Sequence, residues 1–159
     1  MKIALINDSH FGARNDSSIF LNHFINFYKN IFFPYCEKNG IKDAIHLGDF
    51  FDRRKYVNFN TLSEVRNKIL NRFEDAAINM HLLLGNHDTF YKNTNKINSP
   101  KELLSSYSGI KVYDNPEDVQ FDNLNICLVP WINAENKEST LAYLQTSKSP
   151  IVCGHFELN

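Results

Sequence analysis

The chain has 159 residues, enough for one compact domain and short for a two-layer α/β enzyme, so a single domain is expected. Lys and Arg number 17 against 18 Asp and Glu, and the net charge of -1 excludes a global electrostatic argument for nucleic acid; a polyanion would have to be held by local patches and metal ions. Cys36, Cys127 and Cys153 lie far apart with no C-x-x-C pair, which excludes a disulfide framework or zinc knuckle and fits a reducing cytoplasm.

Ile3 to Ile6 reads as a buried strand delivering Asn7-Asp8 at its carboxyl end. The amino terminus turns polar too soon for a signal segment, and no later run reaches membrane-spanning length, so a soluble cytoplasmic protein without membrane contact is expected. From Ser17 to Lys38, Ile19, Phe20, Phe24, Phe27, Tyr28, Ile31 and Phe32 fall at helical spacing; Asp16 or Ser17 would cap the helix, Gly40 would end it, and Pro34 should kink it or stop it early. A second strand covers Asp43 to Leu47 and breaks at Gly48-Asp49. A second helix runs from about Asn60 to Ala77, with Leu62, Val65, Ile69, Leu70 and Phe73 on one face. Met80 to Leu84 is a third strand, stopping at Gly85-Asn86-His87-Asp88.

Tyr91 to Ser99, rich in Asn and Lys, reads as a loop before a short helix over Pro100 to Tyr107. Brief strands follow at Ile110 to Tyr113, Val119 to Phe121 and Leu124 to Val129, the last two joined by the turn Asp122-Asn123. Glu135 to Gln145 is a further helix, and Ile151 to Cys153 a last strand ending at Gly154-His155. Strand and helix alternation argues for parallel pairing with right-handed crossovers, and such sheets place their ligand site outside the carboxyl ends of the strands.

Four strand ends carry the chemistry: Asp8-Ser9-His10, Gly48-Asp49-Phe50-Phe51-Asp52-Arg53, Gly85-Asn86-His87-Asp88 and Gly154-His155. Each sets carboxylate, carboxamide or imidazole groups directly after an apolar strand, where a rigid element can aim them. Oxygen and nitrogen donors without thiolate suit manganese, iron or zinc, and two such ions about 3.5 to 4 Å apart can clamp the attacking and leaving oxygens of phosphoryl transfer. A bridging carboxylate is then needed, and Asp49 is the best placed because Gly48 lets the chain turn close to the metals. Taken singly, each tip reads as a turn or cap residue; four together point to a metal site.

In this order and spacing, D-x-H, G-D-x-x-D-R and G-N-H-D resemble the calcineurin-like metallophosphoesterase superfamily. Within it the chain is most similar to the SbcD-type nuclease subunits of DNA repair complexes, in their T-even-like phage form. Gly48 to Lys55, Val112-Tyr113-Asp114, Val129-Pro130-Trp131 and Gly154-His155-Phe156-Glu157-Leu158-Asn159 carry this likeness. The resemblance implies an α/β fold of the αββα sandwich type, two mixed sheets flanked by helices, and a Mn-dependent DNA exo- and endonuclease. It also implies an SMC-like ABC-type ATPase as partner in phage recombination and repair, and a homodimer is compatible with it.

Carried over residue by residue, the resemblance implies that Asp8 and His10 bind one metal, Asp49 bridges, and Asn86 and His155 bind the second. His87 would face the scissile phosphate and protonate or stabilise the leaving oxygen, with Asp88 fixing the tautomer of its ring. Asp52 and Arg53 would support the site or touch substrate. The family completes its centre with a later G-H-x-H motif, whereas this chain stops four residues after His155. The expectation is therefore a single nuclease domain lacking that motif, the capping domain and the ATPase-docking helices, incomplete at its C-terminal edge, with weakened metal affinity and an open sheet edge. A second polypeptide could supply the missing histidines.

Arg53, Arg54 and Lys55 have two readings, phosphate contacts or a solvated cationic run. His46 and His81 read as ordinary strand residues, His23 as a surface or boundary group, and Cys153 as a small buried hydrophobe. The stripe of Phe20, Phe24, Phe27 and Tyr28 reads as core or subunit interface rather than a base-stacking platform. Trp131 has no assigned role. Two rival functions stand beside the nuclease: a phosphatase or small-molecule phosphodiesterase, disfavoured by Arg54 and Asp88 where protein phosphatases carry Gly and Glu, and a catalytically dead scaffold.

Overall fold

Apolar strands with polar tips build the first layer. β1 (Ile3–Ile6), β2 (Asp43–His46), β3 (Asn79–Leu83) and β4 (Ile110–Tyr113) form a sheet in the order β1-β2-β3-β4, every neighbour parallel. Side chains alternate across it: Ala44, Met80 and Leu82 face a helical layer, while Ile45, Leu83 and Tyr113 face the second sheet. That second sheet contains β5 (Glu117–Phe121), β6 (Leu124–Val129) and β7 (Ile151–Gly154). The β5/β6 pair is antiparallel about the Asp122-Asn123 turn and β6/β7 is parallel, so one sheet is wholly parallel and only the other is mixed. The computed structural model describes residues 1–157; Leu158 and Asn159, which close the last stretch of the family likeness, lie outside the described residues.

Two long helices cover the outer face of the parallel sheet. Helix α1 is continuous through Ser18–Phe27, a π turn at Tyr28–Phe32, and Phe33–Asn39, and ends at Gly40 in a left-handed conformation. Pro34 therefore neither stops nor breaks it. In the π turn the Phe33 N–H bonds the Tyr28 carbonyl, and this wider turn just before Pro34 accommodates a residue that has no N–H and a bulky ring. Helix α2 runs through Phe59–Val65, a second π turn at Arg66–Leu70, and Asn71–Asp75. Its N-cap is Asn58, whose carboxamide oxygen accepts the Asn60 and Thr61 N–H groups at 2.8 and 3.3 Å.

Between these helices and the sheet, Tyr28, Phe32, Phe33 and Phe73 pack edge to face or tilted, with Phe33 and Phe73 centroids 5.0 Å apart. Most of the aromatic stripe is core; Phe20 alone stands out from it, 44% exposed.

The segment expected as a plain loop is knitted together by carboxamides. Asn95 and Asn98 are buried; the Asn95 side chain donates to the Trp131 and Asp114 carbonyls, and Asn98 caps α3 (Ser99–Leu104) by accepting the Lys101 N–H at 2.9 Å. Buried backbone without ladder partners must find others, and these side chains supply them. Helix α4 (Lys137–Thr146) meets the second sheet at β5, where the Tyr143 hydroxyl accepts the Asp118 N–H at 2.9 Å. Among the described residues no helix is long and apolar enough to cross a membrane.

Candidate metal centre

The polar tips of β1, β2, β3 and β7 meet at one edge of the molecule. The loop after β1 runs beside the loop after β2 as a continuation of parallel pairing: Asp8 N–H to Gly48 O at 3.2 Å, His10 N–H to Asp49 O at 3.0 Å, and Phe11 N–H to Phe50 O at 2.9 Å. Asp8, His10 and Asp49 hold φ values of 52°, 42° and 53°, left-handed conformations that L-residues seldom adopt. These cross-loop bonds hold the turns that aim the three side chains inward.

Two groups of donors result, His10, Asp49 and His87 in one and Asp8, Asp49 and His155 in the other, each with donor atoms within 4.8 Å of one another. Asp49 belongs to both. Its Oδ2 lies 3.5 Å from His10 Nε2 and 3.7 Å from His155 Nε2, while its Oδ1 accepts the His87 N–H at 2.8 Å. His10 Nε2 is also 3.9 Å from Asp8 Oδ1. Donors about 2.0 to 2.2 Å from a shared cation stand about 3 to 4 Å apart, longer than a hydrogen bond, and these spacings match. His155 adds a second sign. Its Nδ1 lies 2.8 Å from the Leu47 carbonyl, which takes a proton there and turns a neutral ring's Nε2 lone pair toward the Asn86 Oδ1 at 3.0 Å. A ring nitrogen and a carboxamide oxygen that face each other at this distance can share a cation. The residues present therefore fit divalent ions.

His87 stands apart chemically. Its Nδ1 lies 2.5 Å from the Asp52 carbonyl, so Nδ1 carries the proton and Nε2 is left free, and its ring meets that of His10 edge-on with centroids 4.9 Å apart. The partner that sets this tautomer is the Asp52 backbone and not Asp88, a correction to the expectation. The Asp88 carboxylate is fully buried and turned inward, where Oδ1 accepts the Phe50 and Phe51 N–H groups at 3.0 and 3.1 Å and Oδ2 accepts the Gly85 N–H at 2.9 Å. Three amides with no other partner draw it there, and it ties the third tip to the second. Burial pushes its pKa up to about 7, against the pull of those amides. The Asp52 carboxylate reaches the His10 ring, with Oδ1 3.3 Å from Nδ1.

In the cationic run after Asp52, Lys55 is exposed, as a solvated residue would be, while Arg53 and Arg54 are half-buried and bonded within the chain. Arg53 bonds Asp16 Oδ2 at 2.6 Å and Asn15 Oδ1 at 3.0 Å and lies over the Tyr56 ring at 4.9 Å. Arg54 donates to the Thr89 hydroxyl and carbonyl at 2.9 and 3.3 Å and lies 5.2 Å over the Trp131 ring. Both are struts: Arg53 holds Arg14, Asn15 and Asp16, all at positive φ, and Arg54 pins the chain after Asp88 to Trp131.

His46 and His81 lie on strands as expected, at the end of β2 and within β3, and both are engaged by neighbouring side chains. His81 sits between the sheets, its Nδ1 2.7 Å from the Tyr113 hydroxyl and its ring edge-on to Phe121, and burial lowers its pKa. His46 is fully buried beneath the centre: Nδ1 accepts the Gly48 N–H at 3.3 Å, so Nε2 carries the proton and donates to Ser9 Oγ at 2.8 Å, and Ser9 Oγ lies 3.0 Å from the Tyr28 hydroxyl. Burial, with His155 and His10 close by, pushes the His46 pKa down to about 3, so the ring is neutral. A small Ser inside D-x-H and a His two places before Gly48 were the available signals; nothing in the sequence links either to Tyr28.

A family model described as calcineurin-like phosphoesterase matches residues 1–157. The chain is 39% identical over 159 residues to exonuclease subunit 1 of Enterobacteria phage T4, covering 100% of this chain and 46% of that one, so it spans about half the length of the curated relative it matches. Among solved structures it is similar to an Aquifex aeolicus protein of unknown function, with 22% identity, a TM-score of 0.52, and coverage of 99% of this chain and 80% of that one. Nuclease MPE of Pseudomonas putida is similar at 20% identity and a TM-score of 0.52, over 80% of this chain and 52% of that one. These two likenesses concern the fold.

Proposed function

This chain belongs to the calcineurin-like phosphoesterase family, and from that premise we propose that it is a Mn-dependent DNA exo- and endonuclease domain acting in the cytoplasm of a phage-infected cell. The observation that carries the reading is Asp49, one buried carboxylate shared by two donor groups, in a chain 39% identical to a phage exonuclease subunit along its whole length. In this reading Asp8 and His10, whose donor atoms are 3.9 Å apart, would hold one ion, Asn86 and His155 the other, and Asp49 would serve both. When bound, the pair would supply a water of lowered pKa and positive charge facing the phosphate.

The chain's own groups do the remaining work. His87 Nε2, left free because Nδ1 donates to the Asp52 carbonyl, donates or accepts the proton at the leaving oxygen. Asp52 orients His10 and, through its backbone, His87. Asp88 and Gly85 keep the third tip against the second. Arg53 acts by holding the Ala13–Asp16 turn beside the site. The T4 relative is named as a subunit, which supports a partner chain, and we assign DNA as substrate and an SMC-like ABC-type ATPase as that partner from the family resemblance.

The test is cleavage of linear double-stranded and single-stranded DNA with Mn2+, Mg2+ and Zn2+, alone and with the ATPase. Mn-dependent cleavage that disappears in Asp49→Asn is the expected result. Phosphomonoester hydrolysis without DNA cleavage would turn the reading to a phosphatase, and no hydrolysis with intact metal binding would turn it to a scaffold.

A further inference from the structure

We propose that Tyr28, Ser9 and His46 form a positioning relay that holds the Asp8–His10 loop against the Gly48–Asp49 turn in the geometry where Asp8, His10 and Asp49 can share cations. The inference rests on the metal-centre reading above and adds residues to which that reading gives no part. Ser9 is the middle residue of D-x-H, and its side chain points away from the metal edge into the core, 1% exposed. Its hydroxyl receives the His46 Nε2–H at 2.8 Å and meets the Tyr28 hydroxyl at 3.0 Å. His46 in turn accepts the N–H of Gly48, so one chain of bonds runs from helix α1 through the first metal loop to the second.

Three features make this a positioning device rather than filler. Asp8 and His10, on either side of Ser9, both hold positive φ, as does Asp49, and such backbone persists only where its surroundings over-determine it. The relay grips the middle of that strained segment from below while the bonds to Gly48 and Asp49 grip it from the side. The π turn of α1 also begins at Tyr28, the residue that reaches Ser9, and π turns occur often at functional sites. Finally, Tyr28 and His46 are both fully buried, among Phe11, Phe50, Phe32 and Phe73, where apolar side chains would pack at no desolvation cost. Buried polar groups that satisfy one another specify a unique arrangement more than they add stability.

The experiment uses the whole protein stripped of metal, with Mn2+ titrated by calorimetry and by electron paramagnetic resonance, and with Tm measured in chelator. Partners behind metal ligands commonly change affinity about 10- to 100-fold, so Tyr28→Phe and Ser9→Ala should each weaken Mn2+ binding by about tenfold or more. His46→Leu should do the same, whereas His46→Gln, whose amide can donate to Ser9 from nearly the same place but leaves the Gly48 N–H without its acceptor, should lose less affinity than His46→Leu. Tyr28→Phe removes one oxygen and keeps the core ring, so it reads the relay even where Ser9→Ala does not fold. Unchanged Mn2+ affinity in Tyr28→Phe and His46→Leu, with only Tm lowered, would overturn the relay and leave the metal centre intact. Absence of Mn2+ binding in the natural protein would instead overturn the centre and the relay together.

Discussion

Gly85 is packed so closely on Asp49 that a Cβ at residue 85 would lie 2.1 Å from the carboxylate Oδ1 and 2.3 Å from the Asp49 nitrogen. The third polar tip thus closes directly on Asp49, and a larger residue would meet both its carboxylate and its backbone nitrogen. We expect Gly85→Ala to displace Asp49 and to lower Mn2+ affinity by at least about tenfold, as loss of a supporting contact does at metal sites. Calorimetric titration checks this; normal binding in Gly85→Ala would mean that the two loops can part without consequence.

Asp49 contributes to both donor groups, whereas Asp8 belongs to only one of them. Asp49→Asn should therefore abolish binding of both ions, while Asp8→Asn should leave one bound per chain. Metal content after dialysis against Mn2+ separates the outcomes. Equal loss in both variants would argue against a bridge.

His87 lies in a donor group by distance, yet its Nδ1 is engaged with the Asp52 carbonyl. A proton-transfer role predicts that His87→Gln loses about 10²- to 10⁴-fold in kcat on DNA while retaining its full complement of Mn2+. A matching fall in bound metal would make His87 a ligand instead.

Two buried groups should pull the pH dependence of stability in opposite directions in the metal-free protein. The folded pKa of His46 is about 3 against an ordinary 6.5, so the unfolded chain binds the extra proton and stability falls as pH drops from 6.5 toward 3. The folded pKa of Asp88 is about 7 against 3.8, so the folded chain binds the extra proton; that contribution is complete below pH 3.8 and is lost as pH rises toward 7. The shifts are similar in size, and they should largely cancel between pH 4 and 6.5. In His46→Gln, Tm in chelator should then decline as pH rises from 4 to 7; in Asp88→Asn it should climb. The same slope in both variants would contradict these assignments.

Arg53 is half of a clamp on three consecutive residues with φ of 53°, 59° and 57°, bonded to Asp16 and Asn15, with Thr61 also donating to Asp16 at 3.0 Å. Removing a hydrogen bond to a charged group of this kind costs about 1.5 to 3 kcal/mol, and Arg53 is partly exposed, so the lower end is expected for Arg53→Ala. Limited trypsin digestion should show faster cleavage after Arg14. An unchanged digestion pattern with a raised KM for DNA would make Arg53 a substrate contact.

The order of elements was readable because short apolar runs closed by Gly-Asp, Gly-Asn and Asn-Asp leave few alternatives to parallel strands, although β1, expected to be buried, is an edge strand with Leu5 60% exposed. The convergence of the polar tips was readable for the same reason, since a side chain one or two residues past a strand end inherits the strand's direction. Pro34 misled because its effect depends on the turn before it, and a π turn is a product of packing against Phe73 and the sheet rather than of local preference. Asn95 and Asn98 read as loop residues because their composition is polar; only the chain folded around them shows that they are buried and bonded.

What the sequence alone determined is a family, an α/β layer order and a set of chemically suitable donors, all of which follow from residue type at short spacing. The tertiary structure decided which donors share Asp49, that Asp88 binds three backbone amides and not His87, that Arg53 and Arg54 are struts, and that His46, Ser9 and Tyr28 touch. The reason is physical. These contacts join residues far apart in the chain, as Ser9 and His46 are at a separation of 37, and they are selected by what each buried polar group finds when water is removed.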